Sequence, residues 1–276
     1  MNDIYQNMLS AYDLITDQQQ RNAKYEINQQ VVLAGLYRGG FFDTAAFYGG
    51  TCLRIFHGLN RFSEDMDFSL TTSDDNFQFE KYFPYIEDEF ALLGRKVEIR
   101  KKEKRTFGRV ESAFLKDNTE VVDISFQTEK SIKIKIEVDT DPPLHFQTED
   151  KLLLLPFSFM VRCFTLPDLY AGKMHALLFR SWKQRVKGRD WYDFEWYVRH
   201  SIPLDFTHLR ERARQFNGLE MSKEDFKKRL KERLSSTNIE QVKQDVVPFM
   251  KNREETAIWS NDYFVQLAER IRFKED

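Results

Sequence analysis

The chain has 276 residues, enough for one large domain or two modest ones, and its apolar share of 41% supports a core without surplus. A net charge of −2 excludes a global field that would hold the protein on nucleic acid, so any polyanion site must be local. Cys52 and Cys163, the only cysteines, lack metal-type spacing and suit buried thiols in a reducing compartment. The N-terminus carries no basic or apolar leader pattern, and the most apolar stretch, residues 152–161, is interrupted by Pro156 and too short for a bilayer. The expectation is a soluble cytoplasmic protein with no membrane partner. Phe accounts for 25 residues, so much of the core is expected to be aromatic.

Residues 1–38 read as helical, with Asn2, Asp3 and Asp13 as caps and an apolar face of Ile27, Val31, Val32, Ala34, Leu36 and Tyr37. Residues 41–48 form a short buried strand or helix end that runs into Gly49-Gly50, and a helix follows over 51–57. From Asp65 to Leu70 the period is two, with Asp65, Asp67 and Ser69 alternating with Met66, Phe68 and Leu70: a half-buried strand. Residues 76–94 predict an amphipathic helix stopped by Gly94. Strands follow near 97–103, 107–116, 119–126 and 131–139, with Asp117-Asn118 as a hairpin turn, and Pro142-Pro143 ends this region. A helix begins at Thr165-Leu-Pro-Asp168 with Thr165 as its cap, and the rest is mainly helical. The lobe boundary falls near 142–165. An α+β fold is expected, with a mixed-sheet lobe over 1–145 and a mainly helical C-terminal lobe over 146–276.

Two carboxylates at i and i+2 of a strand face the same way, with Cα atoms ~6.6 Å apart. Unpaired at about 5 Å and an effective dielectric near ~20, Asp65 and Asp67 would repel by roughly 3 kcal/mol. A hard divalent cation removes that cost, and Mg²⁺ suits such ligands, with Mn²⁺ as a substitute. Upstream, Gly49-Gly50-Thr51 opens a helix whose free N–H groups favour a phosphate. Ser63 offers a hydroxyl, and Arg54 or Arg61 a guanidinium. Alone, Asp-x-Asp is most often the solvated face of an edge strand; the Gly-Gly unit upstream shifts the balance towards a site.

In residues 132–139 the face shared by Lys133, Lys135, Glu137 and Asp139 offers a third carboxylate, with Glu137 first, then Asp139, and Asp123 as a weaker third. On periodicity alone the same face reads better as a charged sheet surface with cross-strand pairs. Lys173 interrupts an apolar helical stripe of Leu166, Leu169, Tyr170 and Leu177, so either its stem snorkels or an anion waits there. A basic run of Arg180, Lys183, Arg185, Lys187 and Arg189 ends in Asp190 and Asp193, which share one helix face. Asp190 is a candidate partner that fixes Lys173 against a triphosphate, with the basic residues gripping phosphates of a nucleotide or an RNA acceptor.

These stretches resemble the AbiEii/AbiGii toxin family of nucleotidyltransferases, which includes the MenT-like toxins of the DNA polymerase β-type superfamily. The matching segments are the run from Tyr48-Gly-Gly-Thr to Arg61-Phe-Ser-Glu-Asp65-Met-Asp67-Phe68, then Lys135-Ile-Glu137, Leu169-Tyr-Ala-Gly-Lys173-Met-His-Ala-Leu-Leu178, and Lys187-Gly-Arg-Asp190-Trp-Tyr-Asp193. The resemblance implies a polymerase β-like lobe, Mg²⁺, and transfer of a nucleotide from a nucleoside triphosphate to an RNA (tRNA favoured) or protein hydroxyl. It implies a toxin opposed by a separately encoded antitoxin. Asp65, Asp67 and Glu137 are then the metal ligands. Lys173 and Asp190 complete the catalytic set, and Gly49, Gly50, Thr51, Arg54, Ser63, Arg189 and Asp193 are nucleotide-binding candidates beside Lys173. Two other readings stand: a kinase-like enzyme transferring the γ-phosphate, and a catalytically idle RNA- or partner-binding module.

Overall fold

The structure, a computed structural model, describes residues 3–102, 119–127, 132–180 and 186–275. The chain divides into two compact units, the first comprising Met1–His57, Phe62–Pro142 and Thr148–Cys163, the second Gly58–Arg61, Pro143–Gln147 and Phe164–Asp276.

The first unit opens with α1 (Asp3–Ser10) and α2 (Asp17–Arg38). The stretch that reads as helical is two helices separated by residues 11–16, and a capping box at Thr16 starts the second: Thr16 accepts from the Gln19 backbone N–H, and the Gln19 side chain accepts from the Thr16 N–H. A tight turn at Phe41–Asp43 leads into β1 (Ala45–Tyr48), then α3 (Gly49–His57) and β2 (Met66–Leu70), in the expected order. The helix predicted over 76–94 is shorter, with a 3-10 turn at Phe79–Tyr82 followed by α4 (Phe83–Leu92). Pro84 sits in the first turn of α4, where it has no N–H to offer the carbonyl four residues earlier, so the α-helix starts beside it.

Three strands follow: β3 (Val97–Lys101), β4 (Thr119–Phe126) and β5 (Lys133–Asp139). The strand predicted over 107–116 and the turn at Asp117-Asn118 lie outside the described residues. Two further strands, β6 (Thr148–Leu153) and β7 (Phe159–Phe164), were not predicted: the sequence assigns no strand between 142 and 165. β6 is a sheet edge that leaves Leu152 and, just beyond it, Leu154 exposed, so its sequence lacks the apolar/polar alternation that betrays a half-buried strand. Among the described residues the strands form one mixed sheet of seven in the order β3-β4-β5-β2-β1-β7-β6. Within it β1 is antiparallel to β2 and parallel to β7, β2 is parallel to β5, and β4 is antiparallel to both neighbours.

As the composition suggests, the core of this unit is aromatic. Phe41 is its hub, meeting Phe42, Phe68, Phe77, Phe79 and Tyr82 edge-on at centroid distances of 5.0–6.3 Å. Edge contacts of this kind add ~0.5–1.5 kcal/mol each beyond the area they bury.

The second unit is helical, with α5 (Leu166–Phe179), α6 (Gly188–Arg199), α7 (Phe206–Asn217), α8 (Lys223–Ser236), α9 (Ile239–Val246) and α10 (Asn261–Ala268). This is the α+β architecture expected. α5 packs on α6 and α7, α6 on α9, and α8 on α10, around buried Tyr170, Trp191, Phe194, Tyr197, Phe226 and Phe264. Asp205, Ser222, Asn238 and Ser260 cap α7 to α10 by accepting backbone N–H groups. Thr165 does not cap α5 in this way; its hydroxyl donates to Asp168 at 2.5 Å, and Asp168 accepts the Gln147 N–H. Among the described residues no helix is long and apolar enough to cross a membrane.

Candidate active site

The predicted site residues fall into two groups, one in each unit. In the first unit, Tyr48 ends β1 and Gly49 turns the chain into α3 at φ +80°, a conformation that favours glycine. A Cβ at Gly49 would collide with Oδ2 of Asp67, whose Cα is the register partner of Tyr48. Glycine therefore serves two needs there, the turn and the close approach of a carboxylate. Gly50 and Thr51 complete the first turn of α3.

Asp67 lies on β2 and Glu137 is its register partner on β5, so in this parallel pair the two side chains are neighbours on one face. Asp65 sits two residues before Asp67, just ahead of β2. The predicted alternation over 132–139 is observed: Ile134, Ile136 and Val138 are buried, while Lys135, Glu137 and Asp139 are half-buried. Asp123 on β4, the third-ranked carboxylate, is instead held by Lys102, just beyond β3, and by Lys133, the first residue of β5, at 3.1 and 2.7 Å.

Lys135 was not singled out by the sequence. Its ammonium forms an ion pair with Glu137. Burial opposes its charge, but Glu137, Asp65 and Asp67 outweigh that and hold the ammonium above the ordinary lysine range. One cation thus feels three carboxylates. The signal lay in its position, two residues before Glu137 on the same face of an alternating strand.

Arg54 donates to Glu26 at 2.7 Å and stacks on Phe62 at 4.7 Å. Thr51 is fully buried, and its hydroxyl donates to the Asp65 carbonyl. The Ser63 carbonyl accepts from the Gln29 side chain at 3.0 Å.

In the second unit, α5 presents Lys173 to α6. Its ammonium lies 2.8 Å from Asp190 and 2.8 Å from Asp193. The anion facing this lysine is therefore a pair of carboxylates. Arg180 adds a longer contact to Asp190 at 3.4 Å. Asp193 also takes Arg61 in a bidentate pair, Nε and Nη2 each at 2.6 Å, with both residues inside the unit's core. Arg61 is thus not a surface guanidinium offered to phosphate. Burial opposes the charge of Asp190, but Lys173, Arg180 and Lys187 keep it well below the usual carboxylate range. Asp193 is lowered likewise, by Arg61 and Lys173 against the same burial.

Gly188 opens α6 against α9: a Cβ there would collide with the Val242 carbonyl, and its N–H donates to Asp245 at 2.9 Å. Arg189 stacks over Phe249 at 4.1 Å. Of the basic run, Lys183 and Arg185 lie outside the described residues.

The donor set of Asp65, Asp67 and Glu137 is all anionic oxygen, the chemistry a hard divalent ion requires, and Asp67 stands against backbone with no side chain between. These residues fit such an ion at the Asp65–Asp67 pair. Among the described residues no three Asp, Glu, His or Cys side chains converge as a ready-made metal cage.

Residues 31–275 match the family model described as nucleotidyl transferase AbiEii toxin, type IV toxin–antitoxin system. The solved structure of MenT4, a nucleotidyltransferase toxin of Mycobacterium tuberculosis, superposes with a TM-score of 0.60 at 14% identity, covering 96% of this chain and 87% of that one. JHP933 of Helicobacter pylori superposes with a TM-score of 0.53 at 17% identity, covering 92% and 91%. Both likenesses are of fold. No curated protein matches the sequence significantly. With a family match running from within α2 to the end of the second unit, the chain belongs to the AbiEii nucleotidyltransferase toxins, an enzyme family of type IV toxin–antitoxin systems.

Proposed function

We propose that the protein moves a nucleoside monophosphate from a nucleoside triphosphate to a hydroxyl of RNA, with tRNA favoured over a protein hydroxyl, in a reaction dependent on Mg²⁺. The observation that carries this reading is the juxtaposition of Asp67 and Glu137 in register beside the Gly49-Gly50 turn. The acceptor oxygen forms a bond to the α-phosphorus as the bond to the bridging oxygen of pyrophosphate breaks, and the hydroxyl proton passes to a carboxylate or to solvent. Asp65 and Asp67 would hold the cation, which supplies charge neutralisation at the phosphates. Glu137 either joins them or takes the proton of the attacking hydroxyl.

The free N–H groups at the start of α3 offer donors to the leaving phosphates, with the Ser63 hydroxyl as a further candidate. Lys173, held by Asp190, is the proposed triphosphate contact, following the family resemblance. Arg54 and Arg189 remain candidates for a nucleotide contact. We assign Asp193 and Thr51 to positioning, because the first is closed off by Arg61 and Lys173 and the second by the Asp65 carbonyl. A separately encoded antitoxin and a cytoplasmic site of action belong to the same proposal.

The test is label transfer with purified protein, Mg²⁺ and total tRNA, using each α-labelled nucleoside triphosphate in turn beside Asp67→Ala. Label on RNA, absent with the variant, is expected. Transfer of γ-label instead would make the enzyme a kinase, and an active, folded Asp67→Ala would remove the assigned role of that carboxylate.

A further inference from the structure

Gln29 lies on α2, two residues ahead of the segment matched by the family model, and is almost fully buried. A long polar side chain in that position has to find partners or pay for desolvation. Its amide donates to two successive carbonyls, Ser63 at 3.0 Å and Glu64 at 2.9 Å. The next carbonyl, that of Asp65, accepts the hydroxyl of Thr51, itself fully buried in the first turn of α3. Three consecutive carbonyls just before β2 are thus held by side chains from two different helices.

The segment so held needs such a brace. Residues 63–65 precede the ladder of β2, which begins at Met66, so the sheet alone does not fix Asp65. Asp67 is fixed by its strand and by contact with Gly49, whereas the direction of the Asp65 side chain depends on the backbone at 63–65.

We propose that Gln29 and Thr51 are positioning residues that clamp this backbone and so set Asp65 relative to Asp67; the inference rests on the reading of that pair as cation ligands. Neither side chain touches substrate in this role. Partners that orient metal-binding carboxylates typically change metal affinity or activity by ~10–100-fold when removed.

The test uses the full-length protein with Thr51→Val, Thr51→Ser and Gln29→Met. Two readouts are taken: Mn²⁺ affinity by electron paramagnetic resonance with the metal alone, and amide hydrogen exchange across residues 62–68. Expected are a roughly 10-fold loss of Mn²⁺ affinity and faster exchange in Thr51→Val and Gln29→Met, with Thr51→Ser close to the parent protein because it keeps the hydroxyl. Native affinity and native exchange in both Thr51→Val and Gln29→Met would overturn the clamp. Should the parent protein itself not bind Mn²⁺, the cation reading falls, and exchange alone decides the clamp: unchanged rates refute it, and acceleration in valine but not serine supports it. If Thr51→Val does not fold, Gln29→Met against the parent gives the same two outcomes.

Discussion

The carboxylate of Asp193 is closed at both oxygens by the guanidinium of Arg61, at 2.6 Å each, and neither side chain is more than 2% exposed. One of those oxygens also takes Lys173. Removing one partner of such a pair strands a buried charge, which costs about 3–5 kcal/mol. Asp193→Asn and Arg61→Met are each expected to lower the unfolding free energy of the second unit by that amount, and the double variant by less than the sum. Urea denaturation of the three proteins measures it; strictly additive losses would show that the two side chains do not act as a pair.

Gly49→Ala tests the turn that leads into α3. The left-handed conformation at this residue costs an alanine about 1–2 kcal/mol, and its methyl would displace Asp67. Transfer activity is expected to fall far more than stability. A variant that loses stability but keeps full turnover would detach Gly49 from the function of Asp67.

Lys135→Met removes the cation that Glu137, Asp65 and Asp67 share. With Mg²⁺ chelated, the variant is expected to be less stable than its parent by about 1 kcal/mol, since the pair is partly solvated. Added Mg²⁺ should then raise its melting temperature more than that of the parent, because the carboxylates have lost their internal counter-charge. Equal Mg²⁺ responses would argue that the ammonium does not compete for the same oxygens.

Acid should weaken the fold through its buried histidines, starting below pH 6.5. Burial drives His57 down to about 4 and His175 and His208 down to about 3. For a group whose folded pKa is depressed, the stability is complete above the unfolded value, here 6.5, and is lost as pH falls towards the folded one. Each histidine then removes ~1.4 kcal/mol per pH unit, because the unfolded chain takes a proton that the folded one refuses. Asp168 runs the other way: burial raises it from 3.8 to about 6, so it gains a proton on folding and offsets about one histidine between those values. Chemical denaturation from pH 7.5 to 4.5 is expected to show a steep decline below pH 6.5; a flat profile would mean that the histidines protonate without opening the core.

Local rules carried much of this protein. The alternation over 132–139, the helix after Gly49-Gly50, the Asp65–Asp67 spacing and the lysine in an apolar stripe are all periodic features, and periodicity follows from strand and helix geometry alone. They sufficed for the α+β class and for the resemblance that the family match sustains. β6 was missed because this edge strand reads Thr-Glu-Asp-Lys-Leu-Leu, with no apolar alternation, and β7, an interior strand, because a short, nearly continuous apolar run does not distinguish strand from helix.

Sequence by itself thus determined which residues share a face and which chemistry they bring. The tertiary structure decided their partners. Arg54 goes to Glu26, Arg61 to Asp193, Thr51 to the Asp65 carbonyl and Lys135 to Glu137. Three of these pairs join different elements, and the fourth selects one of several charges along a single strand face. A buried charge or hydroxyl must find a partner, but the partner is set by which elements pack together, and one-dimensional spacing does not encode that.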